Sequence, residues 1–148
     1  MNTIFDVAEW FLSIEEMTHK KLQKLCYYAQ AWSCAICPEP ITNATFEAWV
    51  HGPVCRELYN KYKDYGFSNI PKNPNSPTSF SPEEEEFLMD VWNTYGDMTA
   101  NSLEVLTHTE TPWQKTRLGL APNENSDRPI DPEDMAVYYR SIYTGGDA

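Results

Sequence analysis

Phe46-Glu47-Ala48-Trp49-Val50-His51-Gly52-Pro53-Val54-Cys55 is the stretch on which the reading of this chain turns. It opens with alternating residues: Phe46, Ala48 and Val50 fall on one side, and Glu47, Trp49 and His51 on the other. That period of two marks a short extended segment. Gly52 then admits backbone angles closed to other residues, and Pro53 presets the angle of a first helical turn. From Val54 the spacing turns helical, with Val54, Leu58, Tyr62 and Tyr65 on one face. The sequence therefore predicts a sharp strand-to-helix corner that displays His51. Irregular positions held by rigid elements carry function disproportionately.

Outward from that corner, the pattern is helical in both directions. Upstream, Ile4, Val7, Ala8, Phe11 and Leu12 recur at the spacing of an amphipathic helix. Thr18 reads as the N-cap of a second, longer helix with Leu22, Leu25, Cys26, Ala29, Trp32 and Ile36 on its apolar face. Lys20, Lys21 and Lys24 crowd the start of that helix, where cations oppose the macrodipole, so they form a basic patch facing solvent or a partner. Pro38 and Pro40 stop the helix. Downstream, Gly66 is a C-cap, and Gly66–Ser81, rich in Asn, Ser and Pro, is an internal surface loop. Ser81-Pro82-Glu83-Glu84 is a capping box with proline at the first helical position. It opens a helix that buries Phe87, Leu88, Val91, Trp92 and Tyr95 and stops at Gly96. Thr99 starts a helix that carries Leu103 and Leu106 inward, and Thr111-Pro112 starts a short one containing Trp113. A polar loop covers 119–129. Asp131-Pro132-Glu133-Asp134 opens the last helix, with Met135, Tyr138, Tyr139 and Ile142 on one face and Gly145-Gly146 at its end. The predicted fold is mainly α: a single compact domain over residues 1–148, of six to seven helices, with one short extended segment before the third.

Composition narrows the function classes. A chain of 148 residues can build one real core, and 14% aromatic content, with nine Tyr and five Trp, is not that of a disordered chain. A formal net charge of −11 repels phosphates and anionic membrane surfaces, so neither nucleic acid nor membrane is expected as a partner. Met1–Asp6 has no basic segment leading into an apolar run, and nothing approaches a membrane span. A cytoplasmic protein with its four cysteines as thiols is expected.

Few residues suggest catalysis. Cys34-x-x-Cys37 has the spacing of half a zinc site that Cys26 and Cys55 would have to complete, but no second paired motif exists, and buried thiols explain these residues better. Cys55, in a first helical turn, is placed for a lowered thiol pKa and so for pairing with His51 or His108. His19, His51 and His108 are too scattered for a metal motif, and no phosphate loop, nucleophile elbow or carboxylate pair stands out. The sequence favours a binding module without cofactor or metal over an enzyme. Its candidate contacts are Trp49 and His51, on the polar side of the extended piece, and the second aromatic corner Thr107-His108-Thr109-Glu110-Thr111-Pro112-Trp113. The competing reading packs Trp49 on Trp113 within the fold and gives His108 a satisfied hydrogen bond.

Residues 21–25 (Lys-Leu-Gln-Lys-Leu), 27–32 (Tyr-Tyr-Ala-Gln-Ala-Trp), 46–54 with Leu58-Tyr59, Leu106-Thr107-His108 and Pro112-Trp113 follow an ordered pattern that resembles the Panacea domain family of phage-associated, GepA-like or SocA-like proteins. The chain departs from that pattern in its cysteines at 26, 34 and 55 and in the length of its Gly66–Ser81 loop. The resemblance implies a helical antitoxin that neutralises a cognate toxin by direct contact, with no catalytic residue. It also implies alternatives: an adaptor delivering a toxin or other partner to the ClpXP protease, or a phage factor with a host protein target. No added DNA-binding segment is read, so autoregulation of transcription is not expected. The acidity of the chain suits a basic toxin, and a homo-oligomer stays open. The expected partner-binding residues are Trp49, His51, Gly52 and Pro53, with Lys21, Lys24 and His108.

Overall fold

The computed structural model describes residues 2–146, so Met1, Asp147 and Ala148 lie outside it. Seven helices and one two-stranded sheet are formed among the described residues: α1 (Ile4–Leu12), α2 (His19–Ile36), β1 (Glu47–Trp49), β2 (Gly52–Val54), α3 (Arg56–Tyr62), α4 (Pro82–Tyr95), α5 (Ala100–His108), α6 (Thr111–Thr116) and α7 (Pro132–Gly146). The fold is mainly α, as the periodicities predict. The caps follow the local chemistry. Thr18 and Thr99 accept from the backbone N–H groups of Lys21 and Ser102, and Ser81 and Glu84 form the full reciprocal box. Thr3 and Asp6 form a second box at the start of α1. The Gly66–Ser81 loop is pinned by Ile70 and Phe80, both buried, and Ile70 exchanges backbone hydrogen bonds with Met17.

Helix α2 is the axis of the molecule. It touches α1, α3, α4, α5, α7 and β2, and its longest contact is with α7. A helix packed against six other elements keeps little solvent face, so some of its polar residues are buried as well: Gln23, Lys24, Gln30 and Ser33 join Leu22, Leu25, Cys26 and Ala29 in the interior. This corrects the basic patch expected at its start, because Lys24 is only 2% exposed. The outer ends of two predicted faces are the converse case. Ile36 (42%) and Ile142 (43%) lie where α2 and α7 run past the core, and both are exposed. Tyr65, expected on the buried face of α3, is exposed too, in a short 3₁₀ turn after that helix. The last helix includes Gly145 and Gly146, the last of the described residues.

The predicted corner is a hairpin. β1 and β2 pair antiparallel, Glu47 with Val54, Ala48 with Pro53 and Trp49 with Gly52, leaving Val50-His51 as a two-residue turn. Gly52 takes φ +111, which explains the glycine. Pro53 is therefore a strand residue and not the first turn of α3, which begins at Arg56 after Cys55. The missing proline N–H breaks no ladder bond, because Ala48 opposite it turns its own N–H outward to Arg128 O at 2.9 Å. Ile130 donates to Phe46 O at 2.7 Å, so the end of the predicted 119–129 loop lies along β1 as a third extended segment.

Candidate functional site

The hairpin is held from below and from one side. Beneath it, Gln23 of α2 grips the Cys55 backbone twice, donating to its O at 2.9 Å and accepting from its N–H at 3.0 Å. On one side, Trp113 Nε1 donates to Trp49 O at 2.8 Å and Arg117 donates to Ala48 O at 2.8 Å. Arg117 also ties down Glu124 O at 2.6 Å and lies over the Trp113 ring. These bonds go to backbone, so they fix the position of the turn whatever its side chains are.

What the turn displays is His51, whose side chain is 75% exposed. Its Nδ1 lies 3.2 Å from Glu104 on α5, and the other oxygen of that carboxylate bonds Lys20 at 2.6 Å. Burial opposes the charge of Glu104, but Lys20 and His51 outweigh it and hold the carboxyl below its usual range. Trp49 donates to Glu47 at 2.8 Å, meets the edge of Tyr59 at 5.0 Å between ring centroids and is covered by the Arg56 guanidinium, itself paired with Glu47.

Trp49, His51 and Val54 form a ridge between two clefts. The first, of about 790 Å³, continues over Arg56 to the Asn123–Asp127 loop. The second, of about 660 Å³, is more apolar. Its walls include Tyr59, Phe67 and the start of α5, and Lys24 lines its floor. Phe67 is 103% exposed, an unpacked aromatic ring beside the cleft. Lys24 Nζ has one long hydrogen bond, 3.4 Å to Pro53 O. Burial foremost, with Lys20 adding to it, pushes this amine down to about 7, while Glu104 works the other way.

The structure thus gathers Trp49, His51, Gly52, Pro53 and Lys24 of the expected contact residues about one hairpin. Lys21 is turned away: its Nζ bonds Gly96 O at 2.6 Å and lies over Trp92, satisfying the end of α4. His108 is half-buried against Trp113, rings 4.0 Å apart and nearly parallel. The Val50 backbone hydrogen-bonds this imidazole, as the competing reading has it, but its Nε2 is buried with no hydrogen-bond partner among the described residues. Trp113 reaches the backbone of Trp49 rather than its ring. Burial lowers the pKa of His108. Cys55 is also a correction: burial raises its thiol pKa and outweighs the Glu57 and Leu58 backbone donors, reversing the activation expected of it. Cys26, Cys34, Cys37 and Cys55 are free, and no group of three or more His, Cys, Asp or Glu side chains among the described residues is placed to hold a metal.

A protein-family model described as antitoxin SocA-like, Panacea domain, matches residues 22–114. The chain belongs to that family. The Panacea match runs from the start of α2 through the hairpin to α6, and so contains the ridge, Lys24, Gln23 and Trp113. Arg117 lies just beyond it. No match was found among curated proteins or among solved structures. Within the described residues of this Panacea chain, no helix is long and apolar enough to cross a membrane.

Sequence reasoning missed Arg117, Glu104, Lys20 as a site residue and Phe67. Phe67 carried a usable signal, an aromatic directly after Gly66 at the head of a mostly polar loop. Arg117 and Glu104 carried none, since their roles depend on a hairpin that arrives from far along the chain.

Proposed function

We propose that this Panacea protein is an antitoxin that neutralises a cognate toxin by direct protein contact in the cytoplasm, as a binding module with no catalytic residue. The toxin meets it on the ridge of Trp49 and His51 and on the clefts beside it. Family membership supports the class of activity. The observation that carries the choice of surface is the exposed His51 on a turn whose backbone is held by Gln23, Trp113 and Arg117. A rigid, aromatic-flanked projection loses little conformational entropy on binding. The net charge of −11 favours a basic toxin, whose opposite field speeds encounter.

The test is co-expression with a toxin, sought as a small neighbouring reading frame whose expression alone stops growth. Wild type restores growth, and His51→Ala, which removes no core contact, restores it less well at unchanged melting temperature. Full rescue by His51→Ala removes the hairpin tip from the contact. Stable co-elution of toxin and antitoxin supports neutralisation by binding. Toxin levels that fall only when ClpXP is present would make the protein an adaptor instead.

A further inference from the structure

We propose that the apolar cleft over α2 is a receptor for one acidic side chain of the partner protein, whose carboxylate enters between Trp49, Tyr59 and Phe67 and pairs with the Lys24 ammonium on the floor. This deepens the reading above and rests on it for the partner being a protein.

The argument begins with a missing counter-ion. Buried cations in folded proteins are paired, because an unpaired one forfeits its hydration without recompense. Lys24 is 2% exposed, yet no carboxylate lies within ion-pair distance of it among the described residues. The one acid that acts on its charge, Glu104, is already shared by Lys20 and His51. An ammonium has three donors, and Lys24 uses one of them, on the Pro53 carbonyl at 3.4 Å. The fold also keeps the amine where it is. A Cβ on Gly52 would stand 2.7 Å from Lys24 Cε and 3.0 Å from Thr107 Oγ1, so the glycine leaves room for the lysine beneath the turn.

The surroundings select the ligand. His19, Lys20 and His51 line the same cleft, so basic side chains gather there on a strongly acidic molecule. Free phosphate or chloride gains nothing from the aromatic walls. A carboxylate borne on an apolar stem matches both walls and floor. Because Lys24 sits wholly below the surface, its ligand must be a projecting group. The low pKa of the amine, about 7, fits a lysine that waits for its anion: a carboxylate arriving there draws the pKa up, so binding takes up a proton. Binding should therefore weaken as pH rises above about 7; His19, Lys20, His51 and Tyr59 also line the cleft, and Glu104 and His108 are the further ionisable groups that act on Lys24 or its neighbours there.

The test uses the whole protein and defined probes followed by NMR: 3-phenylpropionate against the neutral 3-phenylpropionamide, and capped Phe-Glu-Phe against capped Phe-Gln-Phe and against Phe-Phe with a free C-terminus. The acid should move the Trp49, Phe67 and Lys24 signals and bind about tenfold or more tightly than the amide, the worth of a charge-assisted hydrogen bond. Lys24→Met, which fills the same space without charge, should erase that preference while keeping the fold. The wild-type Lys24 amine should titrate at higher pH with the acid bound, a readout that needs no variant. Equal binding of acid and amide, or an acid preference that survives Lys24→Met, overturns the proposal. A free C-terminus that outbinds the glutamyl peptide overturns the assignment to a side chain. If the protein rescues cells from its toxin yet no probe prefers its charged form, the carboxylate receptor fails and the antitoxin reading stands. If the acid binds as described but does not compete with toxin, the pairing with the partner fails instead.

Discussion

The two halves of α2 bury polar groups in opposite ways. In its C-terminal half every polar atom that leaves solvent is answered. Tyr28 and Tyr139 both donate to Glu110, at 2.7 and 2.9 Å, and Tyr28 stacks on Tyr95 at 4.0 Å. Trp32 donates to the Tyr95 hydroxyl, and Gln30 bonds both the carbonyl and the hydroxyl of Thr42. In its N-terminal half Gln23 is fully used, but one turn face away Lys24 is left with a single long bond beside an open cleft. A closed network specifies a packing and has nothing left to offer a ligand. A buried group with spare capacity destabilises the free protein and is retained where a partner completes it. The Tyr-Tyr-Ala-Gln segment is thus the scaffold, and the Lys-Leu-Gln-Lys segment underlies the site.

The largest way to break that contrast is in the closed network. Tyr28→Ala removes a ring that is buried completely, its stacking on Tyr95 and one of the two donors to Glu110. Burial already raises the Glu110 pKa against the pull of its tyrosines, so losing a donor strands a carboxyl that is costly to bury. A loss of about 3–5 kcal/mol is expected, read by chemical denaturation, and the variant unfolds at growth temperature if the protein is marginally stable. A loss under about 1 kcal/mol would mean that the network is not the scaffold.

Much of this was legible in the sequence, and what was not has a common cause. Thr18, Ser81 and Thr99 cap because the cap hydroxyl and its N–H are three residues apart, a purely local relation. Gly52 was legible for the same reason: its backbone angle is a property of one residue. Pro53 and Lys24 were misread because their surroundings come from elsewhere. The pattern after Gly52 favoured a helix, but pairing of Pro53 with Ala48 and the Gln23 clasp on Cys55 kept the chain extended for three more residues. A helical wheel assigns Lys24 to the polar face of its neighbours Lys20 and Lys21, but the hairpin lies across Lys24 and buries it. His51 was placed on display correctly, though by a turn between strands rather than a strand-to-helix junction.

A smaller and sharper break falls at Gly52. Alanine there adds strain at φ +111 and a methyl that must displace the buried Lys24 stem. About 2–3 kcal/mol is expected from strain and crowding together. Growth rescue should suffer beyond what that loss of stability explains, since the amine is moved from the cleft floor. Gly52→Ala with unchanged stability and full rescue would separate the turn from the site.

The finest distinction between the halves is electrostatic, and it is read from pH. In the unfolded chain the Lys24 amine keeps its proton up to about pH 10.4, whereas in the folded protein burial lowers its pKa to about 7. Between those values the unfolded state holds one more proton, so this residue makes the protein more stable as pH rises, by about 1.4 kcal/mol per pH unit. Below about 7 both states carry the charge and the penalty is present in full. Other groups add their own slopes, but Lys24→Met leaves them in place, so the difference between variant and wild type isolates the lysine. The variant should be the more stable protein at pH 7, and its advantage should shrink as pH is raised toward about 9, before tyrosine ionisation in the unfolded chain intrudes. Tyr28 and Glu110 supply the control. Tyr28→Phe removes a hydroxyl whose pKa burial drives far above its ordinary value, so it should alter stability with no slope between pH 7 and 9. Parallel pH profiles for wild type and Lys24→Met would show that the lysine finds its counter-charge within the chain, and the two halves of α2 would then differ in packing alone.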